Sequence, residues 1–102
     1  MNMQALLRQA QKMQKEMNQA EAKCNEQIYE SSMGGGSVKV TVKGSMEVLS
    51  IEIQDDLLKE TDKETLQDLL VSTVNDALKK AESEKAAVMK KLTGGVKMPG
   101  GF

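Results

Sequence analysis

The fold is decided by residues 34–44, which read GGGSVKVTVKG. Val38, Val40 and Val42 alternate with polar residues, and side chains two positions apart in a strand point to the same face. This alternation predicts a strand with one buried and one solvated face. The three glycines before it predict a loop or hinge, because glycine lacks the side chain that restricts the backbone. Gly44 predicts a tight turn after the strand.

A second alternating run follows directly, so the two runs are typical of an antiparallel hairpin. Ile28 and Tyr29 are good strand formers and predict another short strand before the glycines. We therefore expect a sheet of three antiparallel strands, at about residues 27–32, 37–43 and 47–53. A sheet of this size needs a helix or a second sheet over its apolar face.

A helix is predicted before the sheet, over about residues 3–26. Apolar residues recur there at alternating three- and four-residue steps from Met3 to Cys24, with glutamine and lysine between them. Such a heptad pattern predicts an amphipathic helix. Two interpretations of its apolar seam stay open, namely packing in the core of one chain and packing against a second chain.

A second helix is predicted after the sheet, over about residues 62–92. Thr61 and Glu64 match a capping box, and apolar residues continue at helical spacing as far as Leu92. The acidic stretch before it, residues 54–60, is expected to be a loop. The glycine- and proline-containing end, residues 93–102, is expected to be a flexible tail.

The helices are too long for the sheet, which favours an oligomer. The 102 residues are expected to form one domain. A strand of five to seven residues spans about 17–24 Å, whereas the second helix would be about 45 Å long. Both helices must therefore extend beyond the sheet. Because Tyr29 and Phe102 are the only aromatic residues, the core of a single chain is also small.

Several classes of site are excluded by composition. The chain has no histidine and one cysteine, which excludes a Cys/His zinc site and a Ser-His-Asp triad. The glycine triplet precedes a strand and lacks the Lys-Ser/Thr ending of a phosphate-binding loop. We expect no enzyme activity, no metal and no cofactor. The single Cys24 is expected to be a small buried residue and agrees with a reducing compartment. No apolar run or signal segment indicates a membrane, so the expected location is the cytoplasm.

Positive charge is concentrated in the two predicted helices. The formal net charge is −1, composed of +2 in residues 1–24, −1 in 25–51, −5 in 52–68 and +3 in 69–102. Basic stripes on helices can neutralise phosphates without reading sequence. The alternative is ordinary solvated helix surface, and charge alone does not decide between the two.

Motifs along the whole chain resemble those of one protein family. They are QAQKMQ at 9–14, GGSVKV at 35–40 with Gly44, IEI at 51–53, DLL at 68–70, VNDA at 74–77 and MPGGF at 98–102. In this order and spacing they resemble the YbaB/EbfC family of small bacterial nucleoid-associated DNA-binding proteins. The chain departs from that pattern at Gln54, where the family's usual aspartate is replaced and Asp55 and Asp56 follow.

The resemblance implies an α+β fold of helix, three-stranded antiparallel sheet and helix, in a homodimer shaped like tweezers. It also implies binding of double-stranded DNA with little sequence specificity, no small-molecule substrate, and a place in the cytoplasm at the nucleoid. The candidate DNA-binding residues are the cations of the two helices: Arg8, Lys12, Lys15, Lys23, Lys79, Lys80, Lys85, Lys90 and Lys91. The candidate core and dimer residues are apolar: Val38, Val40, Val42, Leu49, Ile51, Ile53, Leu70 and Val74.

A different class of function also fits the order of helix, hairpin and helix. Long helices with flexible methionine-rich stripes suit a chaperone or protein-interaction adaptor, as in prefoldin-like subunits. Gel-shift titration with duplex DNA and an aggregation-suppression assay would distinguish that alternative from DNA binding.

Overall fold

Three strands and three helices make up residues 2–94, the part of the chain that the computed structural model describes. In chain order they are α1 (Met3–Glu26), β1 (Ile28–Met33), β2 (Val38–Lys43), β3 (Glu47–Ile53), α2 (Asp55–Glu60) and α3 (Lys63–Leu92). The predicted α+β order of helix, three antiparallel strands and long helix is confirmed. The predicted tail lies outside the described residues from position 95 onward.

The sheet is a meander with β2 at its centre, paired with β1 on one side and β3 on the other. The glycine triplet forms the turn between β1 and β2. Gly34, Gly35 and Gly36 have φ angles of 66°, 68° and 92°, a left-handed backbone that only glycine adopts readily. The Ser37 hydroxyl donates a hydrogen bond to the Gly34 carbonyl at 2.6 Å and closes the turn. The triplet therefore turns one strand into the next within the sheet.

A β-bulge changes the alternation of β3. Thr41 pairs with Ser50, but the next residue, Val42, pairs with Val48, so that Leu49 is an extra residue. Cross-strand partners share a face of the sheet. Val48 therefore joins the apolar face on which the β2 valines lie, a position that simple alternation assigns to Leu49.

The core lies between β2 and α3. Val38, Val40 and Val42 are fully buried against Ala77 and Ala81 of α3. Alanine is small enough to let the helix approach the sheet closely. The partly buried residues packed around this centre are Tyr29, Leu57, Leu69, Leu70, Val74 and Leu78. Because α3 packs across β1 and β2, the same face of β3 is left open.

Residues 54–60 are not the loop that their acidity suggested. Asp55–Glu60 form α2, and Leu57 of this helix packs against the core. Asp55 and Asp56 lie in its first turn, where negative charge is favourable. The capping-box prediction is also wrong by one residue, because Asp62 is the N-cap of α3. Thr61 instead ends α2, donating its amide hydrogen to the Leu57 carbonyl at 3.0 Å.

Polar contacts hold α3 across the sheet. The hydroxyl of Ser31, a buried residue of β1, donates a short hydrogen bond to the Asp76 carboxylate. One turn later, Lys80 donates to the Glu30 carbonyl at 3.1 Å. These bonds join the middle of α3 to β1, and they fix the direction in which the rest of α3 leaves the sheet.

The end of α1 lies directly against the turn between β2 and β3. The Gly44 amide donates a hydrogen bond to the Gln27 carbonyl at 2.9 Å. A Cβ atom at position 44 would lie only 1.8 Å from the carbonyl oxygen of Cys24, in the last turn of α1. The absence of a side chain at Gly44 therefore lets α1 pack onto the hairpin.

Candidate nucleic-acid interface

Two long helices extend from the sheet at the end where the β2–β3 turn lies. α1 reaches the sheet with its C-terminus, whereas α3 leaves the sheet with its C-terminal half, so the two helices run antiparallel. At their lengths of 24 and 30 residues they are about 36 and 45 Å long. The described chain is accordingly elongated, with extents of 69 × 25 × 17 Å. We call α1 and the C-terminal half of α3 the arm.

One lysine of α3 contacts α1 at the end of the arm that is nearest to the sheet. Lys85 lies 3.5 Å from a carboxylate oxygen of Glu21 and donates to the Asn25 side-chain oxygen at 3.0 Å. Farther along α1, Met13, Met17 and Ala20 are half-buried, whereas residues 2–12 are exposed at every position. The N-terminal part of α1 is therefore solvated on all sides in this chain.

A groove of about 460 Å³ lies where α1, α3 and β1 meet. Cys24 is buried in its wall, as expected for a small apolar residue, and Lys23 lies on its lining. Burial raises the pKa of the Tyr29 hydroxyl, and the nearby carboxylate of Glu84 raises it further. The tyrosine therefore stays neutral and fills space in this groove.

Most of the predicted DNA-binding cations are solvated on the arm. On α1 these are Arg8, Lys12, Lys15 and Lys23, all exposed. On α3 they are Lys79, Lys90 and Lys91, which are also exposed. Among the ion pairs within residues 2–94, none involves any of these side chains. Their positive charges are available to a ligand.

Two of the predicted cations have structural contacts instead. Lys80 lies 3.8 Å from Asp76 in addition to its bond to β1. Lys85 is bound to α1, as described above, and its side chain is only 28% exposed. These contacts partly neutralise both lysines, so the exposed members of the predicted set are the better candidates for phosphate contacts.

Acidic residues gather at the opposite end of the molecule. They lie on β3, α2 and the first turns of α3, and they are Glu52, Asp55, Asp56, Glu60, Asp62, Glu64 and Asp68. The glycine turn between β1 and β2 is at this end too, since Gly34 lies beside Leu69. The carboxylates at this end repel phosphate groups, because both are negatively charged. A polyanion is therefore expected to approach the arm rather than the acidic end of the sheet.

The predicted core and dimer residues divide into two groups. Val38, Val40 and Val42 are fully buried, and Ile53, Leu70 and Val74 are half-buried. By contrast, Leu49 and Ile51 are each 46% exposed. Those two residues lie on the open strand, where nothing in residues 2–94 covers them.

Two surface features are not among the sequence predictions. The first is the extent of exposed apolar surface near β3, which includes Val48, Leu58 and Val71 at 40%, 53% and 60% exposure. Only the packing of α3 could reveal it. The second is a row of amides on α1, formed by Gln4, Gln11 and Asn18 at intervals of seven residues. That spacing was visible in the sequence, because seven residues make about two helical turns.

Neither a membrane-spanning helix nor a metal-binding cluster is found in the described part of the chain. Its helices are too short or too polar to cross a bilayer. No three of its cysteine and carboxylate side chains are grouped as metal ligands.

Comparison with known proteins identifies a family and several relatives that match nearly the whole chain. The sequence profile of the YbaB/EbfC DNA-binding family matches residues 1–96. This chain belongs to the YbaB/EbfC DNA-binding family. A nucleoid-associated protein of Clostridium novyi is 47% identical over 102 residues, covering 100% of this chain and 90% of that protein. A nucleoid-associated protein of Clostridium acetobutylicum is 44% identical over 99 residues, covering 97% of this chain and 88% of the relative.

A solved structure shares the fold of this YbaB/EbfC chain. The crystal structure of an uncharacterized protein from Helicobacter pylori aligns with a TM-score of 0.78 at 34% identity. The alignment covers 92% of this chain and 99% of the other. The helix–sheet–helix architecture is therefore common to a distant relative, and the sequence resemblance to the YbaB/EbfC family is confirmed.

Proposed function

We propose that this YbaB/EbfC protein binds duplex DNA as a homodimer with little sequence specificity, mainly through the basic residues of its projecting helices. The observation that carries the proposal is the arm, whose exposed cations form no ion pair within residues 2–94 and lie at the opposite end from the acidic residues of β3, α2 and the start of α3. Lysine and arginine on such a surface displace condensed counterions from DNA phosphates. We infer a role in organising the nucleoid, or in gene regulation, within the cytoplasm, and the names of the Clostridium relatives, which are nucleoid-associated proteins, support the link to the nucleoid.

The homodimer is supported by the open face of β3. Val48 and Ile51 lie on the face of the sheet that α3 covers elsewhere, yet both are exposed. Val71, on the side of α3 away from β1, is exposed as well. Exposed apolar side chains gathered on one face are typical of protein interfaces. A second copy seated on this face would bury it and place two arms at a fixed distance, doubling the number of phosphate contacts.

Substituting Ile51 with lysine tests the dimer. Burial of an isoleucine contributes about 1.5–3 kcal/mol, and a symmetric dimer contains two copies. We therefore expect Ile51→Lys to weaken dimerisation by about a hundredfold or more, as measured by light scattering after size-exclusion chromatography over a concentration series. The side chain is already half-exposed, so the fold of the single chain should persist by circular dichroism.

Ser50→Lys is the matched control for this experiment. Ser50 is exposed on the same strand and pairs with Thr41 on the polar face. This variant should dimerise like the wild type. If the dimer persists in Ile51→Lys, or if both substitutions disrupt it equally, the interface does not lie on this face of β3.

The salt dependence of binding tests the proposed mechanism. A dimer that makes about six phosphate contacts should lose about a thousandfold in affinity for random duplex between 50 and 200 mM salt. Gel-shift or anisotropy titrations at several salt concentrations measure this slope. Affinity that stays constant over that range would contradict binding through the phosphate backbone.

An aggregation-suppression assay separates DNA binding from the chaperone alternative. The feature that favours a chaperone is the apolar side of the α1 tip, where Met3 and Leu7 are 72% and 57% exposed. DNA binding without suppression of client aggregation is the expected outcome. Suppression of aggregation without a DNA shift would favour the chaperone.

A further inference from the structure

The amide row of α1 lies apart from the apolar seam of the helix. Gln4, Gln11 and Asn18 are separated by seven residues, so their side chains lie above one another along one line of the helix. At 3.6 residues per turn this line is well over a quarter-turn away from the seam that contains Met13 and Met17. All three amides are exposed.

The charges around this row suit contact with DNA. Arg8 and Lys15 lie between the amides in sequence, and Lys12 lies farther round the same side of the helix. All three are exposed and are not among the ion pairs formed within residues 2–94. Glu16 is well separated from the row around the helix, and Glu21, which neighbours Asn18, lies 3.5 Å from the Lys85 ammonium. The row is thus flanked by cations that can reach phosphates while the amides face the bases.

The free end of α1 has the dimensions of a helix that enters a groove. Residues 2–12 are exposed all round, so no other element of residues 2–94 obstructs their approach to DNA. An α-helix is about 10–12 Å across, and the major groove is about 12 Å wide. Two amides seven residues apart are about 10.5 Å apart along the helix, which spans about two to three base pairs for a helix that follows the major groove.

The amide groups of the row match the hydrogen-bonding pattern of one base, adenine. A glutamine or asparagine amide can accept a hydrogen bond from N6 of adenine while it donates one to N7. Gln14 donates to the side-chain oxygen of Asn18 at 3.0 Å, so this oxygen keeps one lone pair for adenine N6, and the Asn18 amide hydrogens can donate to N7. No carboxylate in the row could accept from cytosine.

We propose that α1 lies in the major groove, which it enters with its free N-terminal end, and that Gln4, Gln11 and Asn18 bias binding toward adenines spaced about two to three base pairs apart. This proposal rests on the proposed duplex binding and adds a specificity-determining row to it. Cations still supply most of the affinity. One bidentate amide–adenine contact discriminates by about tenfold, and each arm carries three amides, so the preference for a matched site is at least about tenfold.

Selection from a random duplex library tests the bias. Wild-type dimer should enrich sequences with adenines at intervals of about two to three base pairs, and it should bind them at least about tenfold more tightly than random duplex. The variant Gln4→Ala/Gln11→Ala/Asn18→Ala should bind the selected and random duplexes within about twofold of one another. Its affinity for random duplex and its salt slope should match those of the wild type, because no charge has changed.

A variant with the same chemical change elsewhere completes the experiment. Gln67→Ala/Asn75→Ala removes two exposed amides from α3 and should retain the full preference. Alanine favours helix at every position changed, so loss of folding is not expected in either variant. Two outcomes would contradict the proposed role of the amide row while leaving the proposed DNA binding intact. In the first, the wild type binds random duplex but enriches no motif, and in the second, the triple variant keeps the preference. Wild type that fails to bind any duplex would overturn the proposed function itself.

Discussion

Replacing Lys12 and Lys15 by glutamine is expected to weaken binding to random duplex DNA by about a thousandfold at 0.1 M salt. Both side chains are exposed on α1 and outside the ion pairs of residues 2–94, so their charges are free to displace counterions. A homodimer loses four cations, and each contributes about 0.9 to the slope of log affinity against log salt. The slope should therefore become shallower by about 3 to 4, as measured by anisotropy at several salt concentrations.

The control variant makes the same charge change at the acidic end. Lys59 and Lys63 are exposed in α2 and at the start of α3. Lys59→Gln/Lys63→Gln should leave affinity within about threefold, since more distant surface charges are largely screened. Glutamine has nearly the helix propensity of lysine, so neither pair should alter the circular dichroism spectrum. Equal losses from both pairs would show that net charge, rather than the position of the arm, governs binding.

Replacing Gly44 by alanine is expected to destabilise the protein by at least about 3 kcal/mol. The new Cβ would lie 1.8 Å from the Cys24 carbonyl oxygen and 2.7 Å from the carbonyl carbon. These are backbone atoms of α1, so no side-chain rotation relieves the overlap. The helix must move away from the hairpin, and the hydrogen bond from the Gly44 amide to Gln27 is then lost. Urea denaturation at a fixed protein concentration measures the change in the free energy of unfolding.

Gly35→Ala provides the comparison. A Cβ atom at position 35 meets no other atom within 4 Å, but its φ of 68° strains an alanine. The expected cost is about 1 kcal/mol, from the left-handed backbone alone. Gly44→Ala should therefore be clearly the more destabilising of the two. If both variants unfold at the same urea concentration, α1 does not pack on the hairpin as described.

The positive charge of the candidate site could be predicted from the sequence. Repeating three- and four-residue steps identify α1 and α3 as helices, and every arginine and lysine on them can be counted. Which of those cations are free depends on contacts between distant residues. Lys85 bonds to Glu21 and Asn25, which are about sixty positions away in the chain, and no local pattern encodes that pairing.

The sequence by itself determined the order of the two long helices and the three strands, and the separation of positive from negative charge. Both follow from local periodicity and composition, which depend on neighbours a few positions apart. Tertiary structure alone decided the rest. Packing of Leu57 on the core accompanies the folding of acidic residues 55–60 into a helix. The bulge at Leu49 brings Val48 opposite Val42, and the path of α3 over β1 and β2 leaves Ile51 exposed. These features depend on which elements, far apart in the sequence, pack together. An apolar residue belongs to the core if another element of the chain covers it, and it can belong to an interface if none does.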